Sequence, residues 1–594
     1  MSETVLPRTR ISFPLCRWSG RLRPCTLALF VFSVTFVLAP QVQASSRDEL
    51  LRLVPADVGF CLVIDDLRGH GKAFVESPFL KQFLKSPITS KMLDGQELQK
   101  LGLVDQFLEQ YLQVTAQQLR DDILGDALVL AYRPGPPDRP GEEQGLFMLR
   151  ARDAKLLSAL VTRLNTLQKQ SGDLKELQEQ SYAGRKYFGR VESAGAKYYY
   201  LNGPVLVFAS REDTLRQVID LDQKTGGESE PAVAKQFRLL GVDRPLAALW
   251  VNPRAFDRHL ERHAAAATDG PAQALSTLSR YWQALEGIAF TADMQEDLEL
   301  SVTVGARPEA LPLAAQRFFK TGAAPSELWR HFPQNALFAM AGRTNVAALT
   351  DMLSDFLTDE ARKSVRATVA GSAGAVFGQD IVQEILPALG PDWGFCVVAP
   401  AADGKSWVPQ ITAAVRLERG QATRPADLTV LNGLNALAAM AVFHHNGGKP
   451  GPLSMRSMLQ GQVEVRYVVN EKDFPPGLEP AFALKGGYLV FAGSPELIRR
   501  FPEPAVAAKN VSGHGDFPLL RLSLTELAHY LTERRATFVS LGARQNHCSE
   551  EEAGNRLDGL LAVLQFLDRL GITQRSDAGR LKLTLQLRTA KPLK

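Results

Sequence analysis

Short runs in which apolar and polar residues alternate punctuate the chain, separated by longer runs with helical spacing. The cleanest is Arg580-Leu581-Lys582-Leu583-Thr584-Leu585-Gln586-Leu587. A period of two is that of a β-strand, and here one face is leucine throughout while the other is polar. Such a strand predicts a sheet covered on one side, with its leucines under helices. Segments 154–170 and 428–443 have the helical length and apolar content to supply that cover. Asn202-Gly203 and Gly486-Gly487 each join two apolar runs and read as hairpin turns, which makes the sheet largely antiparallel. The expected class is therefore α+β.

The pattern occurs twice. Each half reads as strand, helices, two strands, helix, four strands, helix, strand, helices, two strands. Leu201-Asn202-Gly203-Pro204-Val205-Leu206-Val207-Phe208-Ala209 recurs as Leu484-Lys485-Gly486-Gly487-Tyr488-Leu489-Val490-Phe491-Ala492. Val54-Pro55-Ala56-Asp57 matches Phe332-Pro333-Gln334-Asn335, and Leu124-Gly125-Asp126 matches Leu389-Gly390-Pro391-Asp392. Pro245-Leu246-Ala247-Ala248-Leu249 matches Pro518-Leu519-Leu520-Arg521-Leu522, and the closing strand 298–304 matches 581–587. Matches in one order along both halves predict two tandem duplicated domains, residues 45–321 and 322–594. They join near Thr321-Gly322-Ala323-Ala324-Pro325. The period is far too long for a solenoid. Residues 133–141, rich in Pro and Gly, read as a hairpin tip.

Length and charge sharpen this reading. A chain of 594 residues, 45% hydrophobic and 22% charged, suits two to four globular domains and excludes collagen-like or wholly disordered classes. The net charge of +4 resides entirely in residues 1–44, where five arginines face Glu3 alone. The rest is neutral, so no nucleic-acid surface is expected. Those first residues have the three parts of a secretory signal peptide: a basic stretch to Arg23, an apolar run from Cys25 to Ala39, and Val42-Gln43-Ala44 before the cut. Cleavage is expected between Ala44 and Ser45, with export to a periplasm or the extracellular space. An apolar run of this length spans about 22 Å, short of the ~30 Å hydrocarbon core. No later run is long enough to cross a membrane. Cys61, Cys396 and Cys548 remain after cleavage, allowing one disulfide at most. Cys61 and Cys396, each in a Gly-Phe-Cys strand, read as small buried hydrophobes.

Catalytic signatures are weak. Gly69-His70-Gly71-Lys72 lacks the hydroxyl residue and upstream glycine of a phosphate loop, and Ser372 lacks the glycine a nucleophile elbow requires. His259 and His263 share one helix face and have the spacing of two metal ligands, although Glu261 points away from them. His444-His445 reads as the end of a helix. Asp65-Asp66 follows the first strand; its match in the second half is Arg343-Thr344, so Asp66 reads as a helix cap. Five tyrosines crowd into 182–200 among basic residues. Tyr199 matches Phe482 and is expected to point into the core. Tyr198 and Tyr200, with Arg185 and Lys197, form either a ligand-stacking surface or aromatic packing under a helix.

Val54-Pro55-Ala56-Asp57, a strand, Asp65-Asp66-Leu67 and then Ser77-Pro78-Phe79-Leu80 together resemble the start of a family of exported bacterial proteins known only as domains of unknown function. Their mature chains open with a Leu-Pro-Ala-Asp-Thr-like phrase; Val54 and Val58 stand here for its Leu and Thr. The resemblance covers about the first 50 mature residues and implies no catalytic residue. The sequence thus points to an exported, non-catalytic binding or scaffold protein that needs no cofactor. Its partner would be a protein or an apolar ligand of the cell envelope. The alternatives are a carrier of an apolar or lipid-like ligand and a metal-dependent hydrolase centred on His259 and His263.

Overall fold

Among the described residues, strands and helices alternate in the order the sequence predicts, ten strands to each half of the chain. The computed structural model describes residues 46–77, 80, 81, 84, 104–193, 195–224, 230–294, 297–377, 385–400, 406–418, 426–447, 452–502, 515–577 and 579–590. The expected signal peptide and its Ala44–Ser45 cleavage site lie outside the described residues. The class is α+β with antiparallel sheet. No described helix is long and apolar enough to cross a membrane. The chain divides into two units: Met1–Val75, Gly95–Gly135 and Arg139–Lys235 form the first, and Glu76–Asp94, Pro136–Asp138 and Gln236–Lys594 the second.

The first unit holds β1 (Phe60–Asp65), β2 (Ala127–Arg133), β3 (Gln144–Arg150), β4 (Leu174–Tyr182), β5 (Arg185–Glu192), β6 (Gly195–Asn202) and β7 (Val205–Ala209). They pair antiparallel in the order β1-β2-β3-β7-β6-β5-β4. Its helices are α1 (Ser46–Leu51), α2 (Leu67–Glu76), α3 (Ala154–Ser171) and α4 (Glu212–Gln223). Asp153 caps α3, its Oδ1 accepting from the amides of Lys155 and Leu156 at 2.8 and 3.0 Å, and Gly172 ends it at φ 80°. The inner stripe of α3, Leu157, Leu160 and Val161, packs on one sheet face with Leu149 and Tyr199. On the other side α4 packs on β6 and β7, its Leu215, Val218 and Ile219 fully buried. This sheet is covered on both faces.

The second unit holds β8 (Ala247–Val251), β9 (Leu285–Met294), β10 (Leu298–Ala306), β11 (Phe338–Arg343), β12 (Leu389–Val398), β13 (Gln410–Leu417), β14 (Ser454–Gln460), β15 (Val463–Val469), β16 (Ala481–Lys485), β17 (Tyr488–Ala492), β18 (Phe517–Ser523), β19 (Leu567–Asp577) and β20 (Arg580–Thr589). Their order is β8-β9-β10-β20-β19-β18-β11-β12-β13-β17-β16-β15-β14, antiparallel throughout. The run β11-β12-β13-β17-β16-β15-β14 has the same pairing order as the whole first sheet. The unit division falls at residue 235 and not at 321, because β10 pairs with β20 from Leu298↔Leu587 to Gly305↔Arg580. That ladder ties residues 236–321 to the end of the chain. The helices used below are α5 (Asp257–Ala266), α6 (Val346–Ser354), α7 (Ala426–His445), α8 (Leu524–Glu533) and α9 (Glu550–Leu564).

One face of this second sheet is lined by small residues: Ala339, Ala341, Cys396, Ala414, Ala481, Ala483 and Val490. Short side chains let other segments come close, and Leu328, Phe332, Ile498 and Phe501 fill the space above them. Gly394 shows how close: a Cβ there would meet Leu328, Phe332 and Ala341 at 2.9 Å.

Candidate functional site

Residues directly opposite in an antiparallel pair share a face. Following the register across the second sheet, Leu300, Leu585, Ile572, Leu520, Met340, Phe395, Ala413 and Phe491 form one row from β10 to β17. Beside it run Phe290, Val302 and Leu583, and on the other flank Leu522, Phe338, Val397 and Ile411. All lie on the face opposite the alanine-lined core. Eight strands at ~4.8 Å make the central row about 34 Å long.

This apolar face is the open one. Phe290 is 44% exposed, Leu300 41% and Leu583 38%, and Ile411 and Phe491 are exposed as well. Among the described residues, helices pack over its flanks. Leu524 and Leu531 of α8 and Leu564 of α9 pack over Leu522, Leu570 and Leu587. Val430 and Leu434 of α7 pack over Leu484 and Leu489. The sequence led us to expect the leucines of β20 to be covered and its polar face to meet water; Leu587 is packed under helices and Leu581 and Leu585 are half-buried, but Leu583 is exposed and the centre of the polar face is buried. Thr584 is 8% exposed, and Ser301 and Thr303 beside it are 7% and 3%. The hydroxyls of Thr291 and Ser301 lie 2.5 Å apart, and Gln586 donates to Glu299 at 2.5 Å. The reason lies in β8 and the segment before it. Trp250 and Leu240 press onto the polar side so closely that a Cβ on Gly287 would lie 3.0 Å from the Trp250 indole nitrogen. Contiguous exposed apolar surface of this kind marks a place where something binds.

The aromatic residues singled out in the first half are divided by the sheet. Register puts Arg185, Tyr198 and Tyr200 on the α4 face and Lys197 on the α3 face, opposite Arg190. Lys197 pairs there with Glu192 at 3.1 Å, and Glu192 also holds Arg190 at 3.0 Å. Tyr199 is in the core, as expected, stacked on Phe188 at 5.1 Å and accepting from Asn165 at 2.9 Å. Tyr200 is only 1% exposed. Covered by its surroundings, it offers no ring face to a ligand, and burial raises its hydroxyl pKa well above the tyrosine value. Arg185 pairs with Asp222 of α4 at 3.7 Å. Tyr198 lines a pocket of about 480 Å³ with Arg211, Glu212, Asp213 and Arg216.

His259 and His263 do lie on a helix, α5, with His263 exposed and His259 half-buried. Among the described residues no group of three or more His, Cys, Asp or Glu side chains could hold a metal, so no third ligand joins them. His444 and His445 end α7. Asp66 caps α2, accepting from the Gly69 amide at 3.0 Å. Its counterpart in the second half is Asn345, which caps α6 by accepting from Ala348 at 2.9 Å, and not Thr344, which accepts from the Trp393 indole.

One recurring cluster escaped the sequence reading. In the first unit Arg150 of β3 reaches Glu49 at 2.6 Å and Asp126 at 3.0 Å, and Arg68 also pairs with Asp126. In the second unit Arg416 of β13 reaches Glu327 at 3.4 Å, and Asp392 at the matching place accepts from Tyr488 at 2.6 Å. The Arg416 guanidinium sits 5.8 Å over that tyrosine ring. Burial and the Asp392 carboxylate raise the Tyr488 pKa. The sequence signal was present in Leu124-Gly125-Asp126 and Leu389-Gly390-Pro391-Asp392, read there as alignment marks only. Compared with known protein families, curated proteins and solved structures, the chain matches none.

Proposed function

We propose that this is an exported, non-catalytic binding protein of the cell envelope, assembled from two copies of one α+β module, which carries an apolar, lipid-like ligand on the open face of its second sheet. The observation that carries this reading is the row from Leu300 to Phe491, apolar on eight successive strands, exposed at both ends and half-buried between them. Leucine, isoleucine, methionine and phenylalanine supply neither nucleophile nor proton donor, so the chemistry of this face is binding. They also offer no hydrogen bond. An extended peptide laid on them would bury its own N–H and C=O groups unpaired, whereas an aliphatic chain has none to lose. A row of about 34 Å accommodates a long acyl chain at full extension. Two features support the duplication: the shared pairing order of β1–β7 and β11–β17, and the Glu–Arg–Asp cluster placed alike in each.

The test is displacement of a polarity-sensitive fluorescent probe by long-chain fatty acids, using the chain from Ser45 onward. Saturable binding is expected, and Leu300→Asp with Leu585→Asp should remove it while the fold persists. Absence of saturable binding, or binding indifferent to those substitutions, rejects the reading.

A further inference from the structure

The central row continues past Phe491. Phe491 is opposite Phe482 on β16, their rings 6.3 Å apart, and Phe482 is opposite Arg466 on β15. A guanidinium therefore takes the next place in line on the same face. α7 packs over this end of the sheet, against β14 and β16. Two polar groups within that layer lack partners among the described residues. Arg466 lies 3.3 Å from Glu464 through one terminal nitrogen, but its Nε is buried and bonds to nothing. Asn435 of α7 buries both its amide nitrogen and its amide oxygen without a hydrogen bond. Buried polar atoms are nearly always paired, so the Arg466 Nε and the Asn435 amide nitrogen are two donors left for an acceptor. The first unit shows a buried helix asparagine that is satisfied, with Phe188 and not Arg190 at the register place of Arg466. Helix α3 also buries an asparagine, Asn165, and there it donates to the Tyr199 hydroxyl and accepts from Arg190. Phe482 stands in the second unit where Tyr199 stands in the first, so that hydroxyl is missing.

We propose, resting on the apolar-ligand reading, that the ligand carries a single anionic head, a carboxylate or a phosphate, which enters beneath α7 and accepts from Arg466 Nε and the Asn435 amide. Its tail lies back along Phe491, Phe395 and Met340. An apolar track ending at a cation and an amide is the layout of a site for an anionic amphiphile.

The test compares hexadecanoate, hexadecyl phosphate and hexadecanol, which share one chain length, on the full mature protein by titration calorimetry. Either anion should bind about 10- to 100-fold more tightly than the alcohol, the range of one or two charge-assisted hydrogen bonds. The tighter anion names the head group. Arg466→Met should erase the preference and leave hexadecanol binding unchanged. Asn435→Leu should weaken anion binding yet raise the melting temperature, because it removes an unpaired buried amide; unchanged anion binding there would count against the site. Equal binding of all three ligands by the native protein, or a preference that survives Arg466→Met, overturns the head-group site while leaving the apolar reading intact. Failure of all three to bind overturns both.

Discussion

Replacing Leu583 by Gln separates an open leucine face from a buried one. A leucine taken fully out of water contributes about 1.5–3 kcal/mol, and truncating one in a packed core costs about 2–5 kcal/mol because a cavity remains. Leu583 keeps 38% of its surface in water, so only part of that burial is at stake. Glutamine retains two methylenes against the neighbouring side chains and can turn its amide to solvent. The expected loss is about 1 kcal/mol. Val490, fully buried on the alanine-lined face, provides the control. Val490→Asn should cost about 3 kcal/mol or more, since it buries an unpaired amide as well as losing packing. Urea unfolding of the mature chain, monitored by circular dichroism, measures both. If Leu583→Gln destabilises the protein as much as Val490→Asn does, the face is a core and the binding argument fails.

Other perturbations follow from the same geometry. Asp126→Ala should destabilise the protein by about 3–5 kcal/mol, because it leaves Arg68 and Arg150 without their shared carboxylate in a mostly buried site. Asp392→Asn should cost only about 1 kcal/mol, as the amide oxygen still accepts from Tyr488; thermal unfolding that ranked the two in the opposite order would refute the assignment. Burial pushes the Cys61 thiol up to about 12 and Cys396 to about 11, from 9.0. Between those values the native state keeps protons that the unfolded chain releases, so stability is complete below pH 9 and falls as pH rises above it, by up to about 1.4 kcal/mol per pH unit per thiol. A Cys61→Ala, Cys396→Ala double variant should lose that excess slope between pH 9 and 11, and an unchanged slope would contradict the burial.

Much of the architecture was legible because strands announce themselves by period. Alternation identified β20, the glycine turns fixed antiparallel pairing, and the repeated phrase around Gly203 and Gly486 showed that β6–β7 and β16–β17 are alike. What alternation does not contain is which face the rest of the chain covers. For β20 that was decided elsewhere, by Trp250 and Leu240 closing onto Gly287 and Gly305. A signal existed in the alanines of β11, β13 and β16, whose small side chains demand close neighbours on their own side. Tyr200 illustrates the same limit. Its alternation with Tyr199 left open an outward ring or packing under a helix, and the second holds: α4 covers that face of the sheet and both tyrosines are buried. The Glu–Arg–Asp cluster joins residues such as Glu49 and Arg150, a hundred positions apart, and only the folded sheet brings them together. The helix caps of α2 and α6 differ by one position from the sequence match, because Asp66 and Asn345 can each accept from the third amide onward and Thr344 is engaged by Trp393.

Native mass spectrometry of the mature protein, isolated without detergent from its own source, tests the central claim most directly. The account predicts a species heavier than the polypeptide by one long-chain amphiphile, reverting to the bare mass on denaturation, and absent from a Leu300→Asp, Leu585→Asp variant that remains folded. A native protein that shows only the polypeptide mass, and still does so after incubation with hexadecanoate, would contradict it.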